Sequence, residues 1–178
     1  MSKNRRLRPT LAALIAACCV SIPAVAAADA ACQPVFDAAT KIFAVPTHSY
    51  TAETSPGGKS GNAEAIYANN AIYIFYNGKW IRSKATPQDM LKQEQENIQN
   101  AKTSCRHVRD EVVNGEAAAL YMASAENEGV KSDAQTWVSQ SRGLPLKTEE
   151  DIDTGDGDKR HMSIRYDYSN VRPPAGVQ

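Results

Sequence analysis

Two Asn-Gly pairs constrain the fold of this chain more than any other sequence feature. Asn77-Gly78 separates the apolar run 71–76 from residues 79–82, and Asn114-Gly115 separates two further extended segments. Both central residues of a type I′ turn need a positive φ, which Asn and Gly tolerate, so this dipeptide between extended segments predicts a β-hairpin. The chain therefore contains at least two antiparallel hairpins.

The segment 71–76 is apolar on both of its faces, so we expect a cover on each side of it. From Cys105 onward, turn signals separate a longer meander of strands, which we place at 105–113, 116–125, 130–140, 144–152 and 161–169. In the last strand Met162, Ile164 and Tyr166 alternate with polar residues, which is typical of one buried and one wet face. An earlier strand is predicted at 47–54.

Two helices are predicted, over 33–44 and over 86–103. The second begins with Thr86 as N-cap and Pro87 at the first helical position. Its apolar stripe is narrow, which suits a helix that lies across a sheet with most of its surface in water. The stripe consists of Met90, Leu91, Ile98 and Ala101. The elements together predict an α+β fold, a curved antiparallel sheet with two helices packed on it or capping it.

The N-terminal segment 1–30 is predicted to be a secretory signal peptide. Basic residues precede an uncharged run from Leu11 to Ala28, and small residues allow cleavage after Ala26 or Ala30. Alanine-rich composition and Pro23 disfavour a membrane-spanning helix. In an alternative interpretation Cys18 would be lipidated and become the first mature residue. In either case the sequence predicts an exported, periplasmic protein.

The charge and length of the exported part indicate what it can bind and how many domains it forms. Cleavage would remove four basic residues and one acidic residue from balanced totals of 20 each, leaving a net charge of −3. A mildly acidic surface gives no electrostatic reason to bind nucleic acid. We expect a single domain over 31–170, followed by a Pro-rich tail over 171–178, with no transmembrane segment.

Cys32 and Cys105 are the cysteines that remain after cleavage, and in an oxidising compartment they predict a disulfide. Such a bond would close a loop of about 70 residues and contribute about 4 kcal/mol in the chain-entropy model. Neither cysteine belongs to a Cys-x-x-Cys motif, so a thiol redox enzyme is disfavoured.

Catalytic, metal and cofactor motifs find little support in the sequence. The acidic segment 151–158 has glycine at positions where a calcium loop needs oxygen ligands, and a solvated turn is favoured there. His48, His107 and His161 lie on separate strand segments without paired ligand spacing. We therefore predict no catalytic residue, no metal site and no cofactor. A triad assembled only in space stays open, with His107 or His161 as its base.

An apolar cavity is the functional feature that the sequence favours. The strand 116–125 carries five alanines and has little side-chain volume, and the second helix has few apolar residues with which to fill the space above a sheet. A curved sheet with small residues on its concave side can enclose an apolar ligand; in the alternative the helix fills that space. The candidate cavity residues are Tyr73, Phe75, Trp80, Ala119, Leu120, Met122, Ala123, Trp137 and Tyr166.

Two short segments resemble a known family. Trp137, Gly143-Leu-Pro145 and Lys147 match a strand–turn–strand motif, and Tyr168, Val171 and Pro174 match a C-terminal motif. The motifs and the order of elements resemble the periplasmic lipoprotein carriers and lipid-binding lipoproteins typified by LolA and LppX. The resemblance implies a half-barrel of antiparallel strands, capped by helices, around an apolar cavity.

Three functions follow in order of preference. The first is a non-enzymatic periplasmic binding or carrier protein that holds an acyl or lipid-like ligand in the half-barrel. The second is a protein-binding module on the same scaffold, such as an inhibitor, an immunity protein or an envelope-stress accessory protein. The third is a small hydrolase or isomerase.

Overall fold

The computed structural model describes residues 30–56, 58 and 60–177. Within these residues the chain forms nine strands, two α-helices and two short 3₁₀ turns at Ala30–Cys32 and Ile42–Ala44. The helices are α1 (Gln33–Lys41) and α2 (Pro87–Asn100). The strands are β1 (Thr47–Thr54), β2 (Ser60–Ala68), β3 (Ala71–Tyr76), β4 (Lys79–Arg82), β5 (Lys102–Val113), β6 (Glu116–Asn127), β7 (Val130–Ser139), β8 (Pro145–Asp153) and β9 (Lys159–Asp167).

All of these strands belong to one antiparallel sheet in the order β4-β3-β2-β1-β9-β8-β7-β6-β5. Two meanders, β1 to β4 and β5 to β9, meet where β1 pairs with β9, with Ser49 opposite Tyr166. The sheet is curved and its two edges do not pair, so the fold is an α+β half-barrel with two helices. The fold class predicted from the sequence is confirmed.

Strand β2 was not predicted from the sequence, although its turn carries a readable signal. Asn69 and Asn70 both adopt a positive φ, of 53° and 56°, which are the backbone angles of a type I′ turn. Asparagine adopts this conformation more readily than most residues, so Asn69-Asn70 forms the same type of turn as an Asn-Gly pair. The strand itself alternates small and polar residues, which leaves little hydrophobic pattern to detect.

Helix α2 begins as the sequence predicts. The Thr86 side chain accepts a hydrogen bond from the backbone N–H of Asp89 at 3.2 Å, and the Asp89 carboxylate accepts one from the backbone N–H of Thr86 at 2.8 Å. This reciprocal capping box satisfies two backbone donors at the start of the helix. The helix ends at Asn100, and β5 begins at Lys102, so residues 102–103 extend the strand rather than the helix.

Helix α2 also connects the two edges of the sheet. It follows β4 at one edge and precedes β5 at the other. Nine flat strands would span about 38 Å, whereas 14 helical residues are about 21 Å long. The sheet is curved, which brings its two edges closer together than they would be in a flat sheet.

The two faces of the sheet can be assigned from the strand register, because paired residues share a face and neighbours along a strand alternate. The face that carries Cys105 looks toward α1 and α2, and we call it the helix face. Tyr121 on β6, Thr136 on β7 and Tyr166 on β9 belong to it by register. The opposite surface is the outer face.

The two clusters of buried apolar side chains found among the described residues both lie on the outer face. One contains Ile66, Ala68, Ala71 and Tyr73, and the other Ala118, Leu120, Trp137 and Leu146. The half-buried Trp80 packs on the first cluster. Buried apolar residues also lie on the helix face, among them Ile72 on β3 and Val138 on β7, so the core is divided between the two sides of the sheet.

The residues after β9 cover part of this outer core. The Tyr168 ring packs on the second cluster, and its hydroxyl donates a hydrogen bond to the carbonyl of Pro145 at 2.5 Å. Val171 and Val177 pack on the first cluster. The first half of β3 is thus covered on its outer side by this tail. Residues 74–76 are exposed, so the expectation of a cover on each side of the strand is wrong for its second half. The two segments that carried the family resemblance meet at Tyr168 and Pro145.

The disulfide joins the start of α1 to the edge strand β5. Cys32 is fully buried, and its Sγ is bonded to that of Cys105, with a Cα–Cα distance of 4.9 Å. The predicted pairing is therefore present in the structure. It holds the N-terminal end of α1 against the helix face at the edge where α2 arrives.

The predicted signal peptide and the alternative lipidation at Cys18 lie outside the described residues, apart from Ala30. Within the described part of the chain, no helix has the length and apolar character needed to cross a membrane.

We expect the double variant Cys32→Ser/Cys105→Ser to lose about 4 kcal/mol of unfolding free energy, because an open loop gives the unfolded chain more entropy. Urea denaturation measures this loss. Thiol labelling of the denatured, periplasmically produced wild-type protein should find both cysteines unreactive until a reductant is added. Two reactive thiols without reductant would contradict the disulfide.

Candidate binding sites on the two faces of the sheet

The helix face presents large apolar side chains that are only half-buried. On the sheet side these include Ile164 and Met162, and on the helix side Met90, Leu91 and Ile98. The α2 backbone approaches α1 and the 3₁₀ turn Ile42–Ala44 more than it approaches any one strand. Apolar side chains of the sheet and of α2 thus stay partly exposed to solvent, as is typical of a site that binds an apolar ligand.

The register divides the nine candidate cavity residues between the two faces. Ala119, Ala123 and Tyr166 belong to the helix face. The other six belong to the outer face and are Tyr73, Phe75, Trp80, Leu120, Met122 and Trp137. Three of the nine candidate cavity residues therefore lie on the helix face, which is the side where the sequence analysis placed the cavity.

Glu94 is a residue of the helix face that the sequence analysis missed. It lies half-buried on the sheet-facing side of α2, between Leu91 and Ile98. Burial raises the pKa of the Glu94 carboxyl, and the nearby Glu150 raises it further, while a hydrogen bond with Asn97 opposes both effects. Its position in the middle of the apolar stripe, at helical spacing, was the available sequence signal.

Tyr166 lies on the sheet opposite this helix. Burial raises the pKa of its hydroxyl to about 12, with smaller contributions from Tyr67, Glu94 and Glu150, while Thr148 acts in the opposite direction. The phenol is therefore neutral at physiological pH. The carboxyl of Glu94 and the phenol of Tyr166 are close enough for the first to raise the pKa of the second.

One cavity opens at the end of the helix face. It has a volume of about 380 Å³ and lies between the 3₁₀ turn Ile42–Ala44 and the turn that joins β2 to β3. The Phe43 and Tyr67 rings make an edge contact there, with centroids 5.7 Å apart, and Pro87 at the start of α2 completes the wall.

The centre of the outer face is polar, in contrast with the two apolar clusters beside it. His48 Nε2 lies 3.0 Å from a Glu64 carboxylate oxygen, and the Tyr50 hydroxyl lies 3.0 Å from His48 Nδ1. Burial raises the pKa of Tyr50, and Glu64 and Asp167 raise it further, so its hydroxyl keeps its proton. A cavity of about 520 Å³ lies next to this group and is lined by Tyr50, Arg142, Arg165 and Tyr168 among others.

The two histidines considered as catalytic bases are exposed. His107 Nε2 lies 2.9 Å from Asp110, and His161 Nδ1 lies 2.8 Å from Asp151. Each pair stands at the surface, and neither histidine is hydrogen-bonded to a serine or cysteine among the described residues. The acidic segment 151–158 forms the turn between β8 and β9, where Asp153 and Asp156 accept hydrogen bonds from the turn itself.

Comparison with solved structures finds proteins of similar fold. MucB matches with a TM-score of 0.50 and 11% identity, over 83% of this chain and 62% of that chain. LprF from Mycobacterium bovis matches with a TM-score of 0.42 and 9% identity, over 80% and 95% of the two chains. LolA superfamily protein NE2245 from Nitrosomonas europaea matches with a TM-score of 0.31 and 10% identity, over 81% and 96%. MucB in complex with MucA(peri) also matches, with a TM-score of 0.42 and 11% identity, over 82% and 60%.

At these identities the likeness concerns the fold alone. The LolA-like half-barrel predicted from the sequence is confirmed as a fold. The chain spans about 62% of the length of MucB. No protein-family model and no curated protein matches the sequence.

We expect Glu94→Gln to stabilise the protein at pH 7 and to have little effect below about pH 4. The raised pKa means that the folded state favours neutral Glu94, so stability is highest below the unfolded pKa and falls as pH rises through the folded value. Urea unfolding at the two pH values measures the difference.

Glu96→Gln is the control for this experiment, because Glu96 lies exposed on the same helix, 3.8 Å from Lys92. An exposed ion pair of this kind contributes little to the free energy of unfolding. An equal response of both variants at pH 7 would show that Glu94 is not buried against the sheet.

Proposed function

We propose that this protein is a non-enzymatic binding or carrier protein that holds an apolar, acyl or lipid-like molecule on the helix face of its half-barrel, beneath α2. The proposal includes export by residues 1–30 and a periplasmic place of action. A carrier of this kind needs a concave apolar surface that stays accessible in the folded protein.

The incomplete burial of the apolar residues between α2 and the sheet is the observation that supports this proposal. Met90, Leu91 and Ile98 on α2 are half-buried, and so are Met162 and Ile164 on the helix face of the sheet. Other apolar residues of the same face, such as Ile72 and Val138, are buried, as Leu120 is on the outer face. A helix-side space filled by the chain's own residues would bury Met90, Leu91 and Ile98 as Leu120 is buried.

Small side chains on the sheet support the same proposal. Ala119 and Ala123 on β6 lie on the helix face, and a methyl group occupies less space above the strand than a larger apolar side chain would. Ala134 on β7 lies opposite Ala123 on the same face. An acyl chain lying along this part of the sheet would meet methyl groups, with the polar groups of Glu94 and Tyr166 nearer the centre.

An environment-sensitive fluorescent acyl ester, which carries no free carboxylate, should bind the native protein, and unlabelled lipid should displace it. We expect Ala123→Trp to weaken this binding by about tenfold or more, because an indole would fill the space above β6. Ala119→Trp should act in the same direction, with an additional loss of stability because Ala119 is already buried.

Ser124→Trp is the matched control, since Ser124 is the next residue on β6 and lies exposed on the outer face. Arg165→Ala on the outer face should likewise leave probe binding unchanged. Failure of the probe to bind the wild-type protein, or equal losses in Ala123→Trp and Ser124→Trp, would contradict the carrier function.

A second candidate function, a protein-binding module, is supported by the hairpin β3–β4. Its helix side exposes Ile74, Tyr76 and Ile81, whose exposed fractions are 36%, 63% and 47%. β4 is also the edge strand of the sheet, with one side free of strand partners. Exposed apolar residues at a sheet edge are typical of protein contacts, and MucB is known in complex with MucA(peri).

If this second function holds, a photo-crosslinking amino acid at Ile81 should capture one defined protein in cells that export the variant to the periplasm. The same amino acid at Val112, which is 70% exposed near the opposite edge, is the control. Equal crosslinking at both positions, or none at Ile81, would exclude the hairpin as a specific protein-binding surface.

A further inference from the structure

A second site lies on the outer face, away from the surface proposed for apolar ligands. Its cavity of about 520 Å³ is within the range of small-molecule sites. The walls come from both halves of the sheet and are Tyr50, Val113, Asn114, Glu116, Arg142, Leu146, Arg165, Tyr166, Asp167, Tyr168 and Ser169. A smaller cavity of about 290 Å³ shares Tyr50 and Arg165 with it.

Arg165 is the central cation of this cavity. It lies opposite Tyr50 on β1 and opposite Lys147 on β8. Its guanidinium carbon stands 5.6 Å from the centroid of the Tyr50 ring. Two cations directly opposite each other on neighbouring strands repel, so the pair Arg165–Lys147 costs stability in the absence of an anion.

The other charged groups around Arg165 have partners of their own. Arg142 binds Glu116 through two nitrogens, at 2.9 and 2.5 Å, and stacks on the Tyr168 ring. Lys147 pairs with Glu149 at 2.5 Å. Asp167 accepts a hydrogen bond from the backbone N–H of Ser169 at 2.8 Å.

Arg165 differs from these neighbours. Throughout the part of the chain that the structure describes, its guanidinium has no hydrogen bond and no carboxylate within ion-pair distance; its contact is the stacking on Tyr50. An exposed guanidinium that is held by an aromatic ring presents its N–H groups in a fixed plane.

We propose that this cavity binds a small organic carboxylate, whose carboxylate group pairs with Arg165 and whose apolar part lies against Val113 and Leu146. The planar fork of a guanidinium matches the two oxygens of a carboxylate. A bound carboxylate also relieves the repulsion between Arg165 and Lys147. The apolar residues Val113 and Leu146, in an otherwise mainly polar wall, and the size of the cavity favour an organic anion over inorganic phosphate.

Titration of the full mature protein with benzoate, followed by ¹H–¹⁵N NMR, tests this proposal. Saturable shifts are expected at millimolar benzoate, at the amides of Asn114 and Ser169 and at the Arg165 Nε–H. Phosphate at equal concentration should bind several-fold more weakly. In Arg165→Gln the benzoate affinity should fall by about tenfold, the usual effect of losing a charged hydrogen-bond donor.

Arg106→Gln is the matched control, because Arg106 is an exposed cation of the same face whose contact is the Met122 sulfur, outside the cavity. It should bind benzoate like the wild type. Absence of saturable shifts in the wild type, shifts outside the cavity, or equal losses in both variants would overturn the proposal. Phosphate binding as tight as benzoate binding would overturn it as well.

The two proposed sites can be tested independently. Arg165→Gln should leave the fluorescent acyl ester bound on the helix face, and Ala123→Trp should leave benzoate bound on the outer face. Loss of benzoate binding in Ala123→Trp, with the fold intact, would place the carboxylate on the helix face and overturn the outer-face site.

Discussion

Helix α2 has to connect two edges of a nine-stranded sheet, and the shape of the domain depends on that connection. A helix of about 21 Å spans only part of a flat sheet of about 38 Å from edge to edge, so the five residues that flank it would have to be almost fully extended. The curvature of the sheet brings β4 and β5 closer together. The disulfide at Cys32 and Cys105 then fixes α1 at the edge where α2 arrives, so both helices lie on the concave side.

The apolar side chains of α2 meet the strands incompletely. Its backbone approaches α1 and the turn Ile42–Ala44 more than it approaches any one strand, and Met90, Leu91 and Ile98 are half-buried. On the outer face, Trp137 and Leu120 belong to one buried cluster, and the tail residues Val171 and Val177 pack on another. The core is therefore divided between the two sides of the sheet, and the surface beneath α2 keeps apolar side chains partly accessible.

The two faces therefore offer different chemistry to ligands. The helix face combines half-buried aliphatic side chains with small residues such as Ala123, and the electrostatic groups near its centre, Glu94 and Tyr166, have pKa values raised by burial. The outer face carries ion pairs and stacked cations between its two apolar clusters. Arg165 stands out there because its neighbours Arg142 and Lys147 each have a carboxylate partner.

Local signals in the sequence determined the elements. Asn-Gly pairs, the Thr86 cap and the alternation in 161–169 depend on backbone angles and on one or two neighbouring residues, so they could be read directly. The disulfide followed from compartment and from the number of cysteines. The tertiary structure alone decided which face each strand residue occupies relative to the helices. Leu120 and Ala119 are adjacent in sequence and therefore lie on opposite faces, but only the position of the helices decides that the first belongs to the outer core and the second to the helix face. The pairing of β1 with β9 could not be read from the sequence either, because it joins strands more than 100 residues apart, and this contact brings Tyr50 beside Arg165.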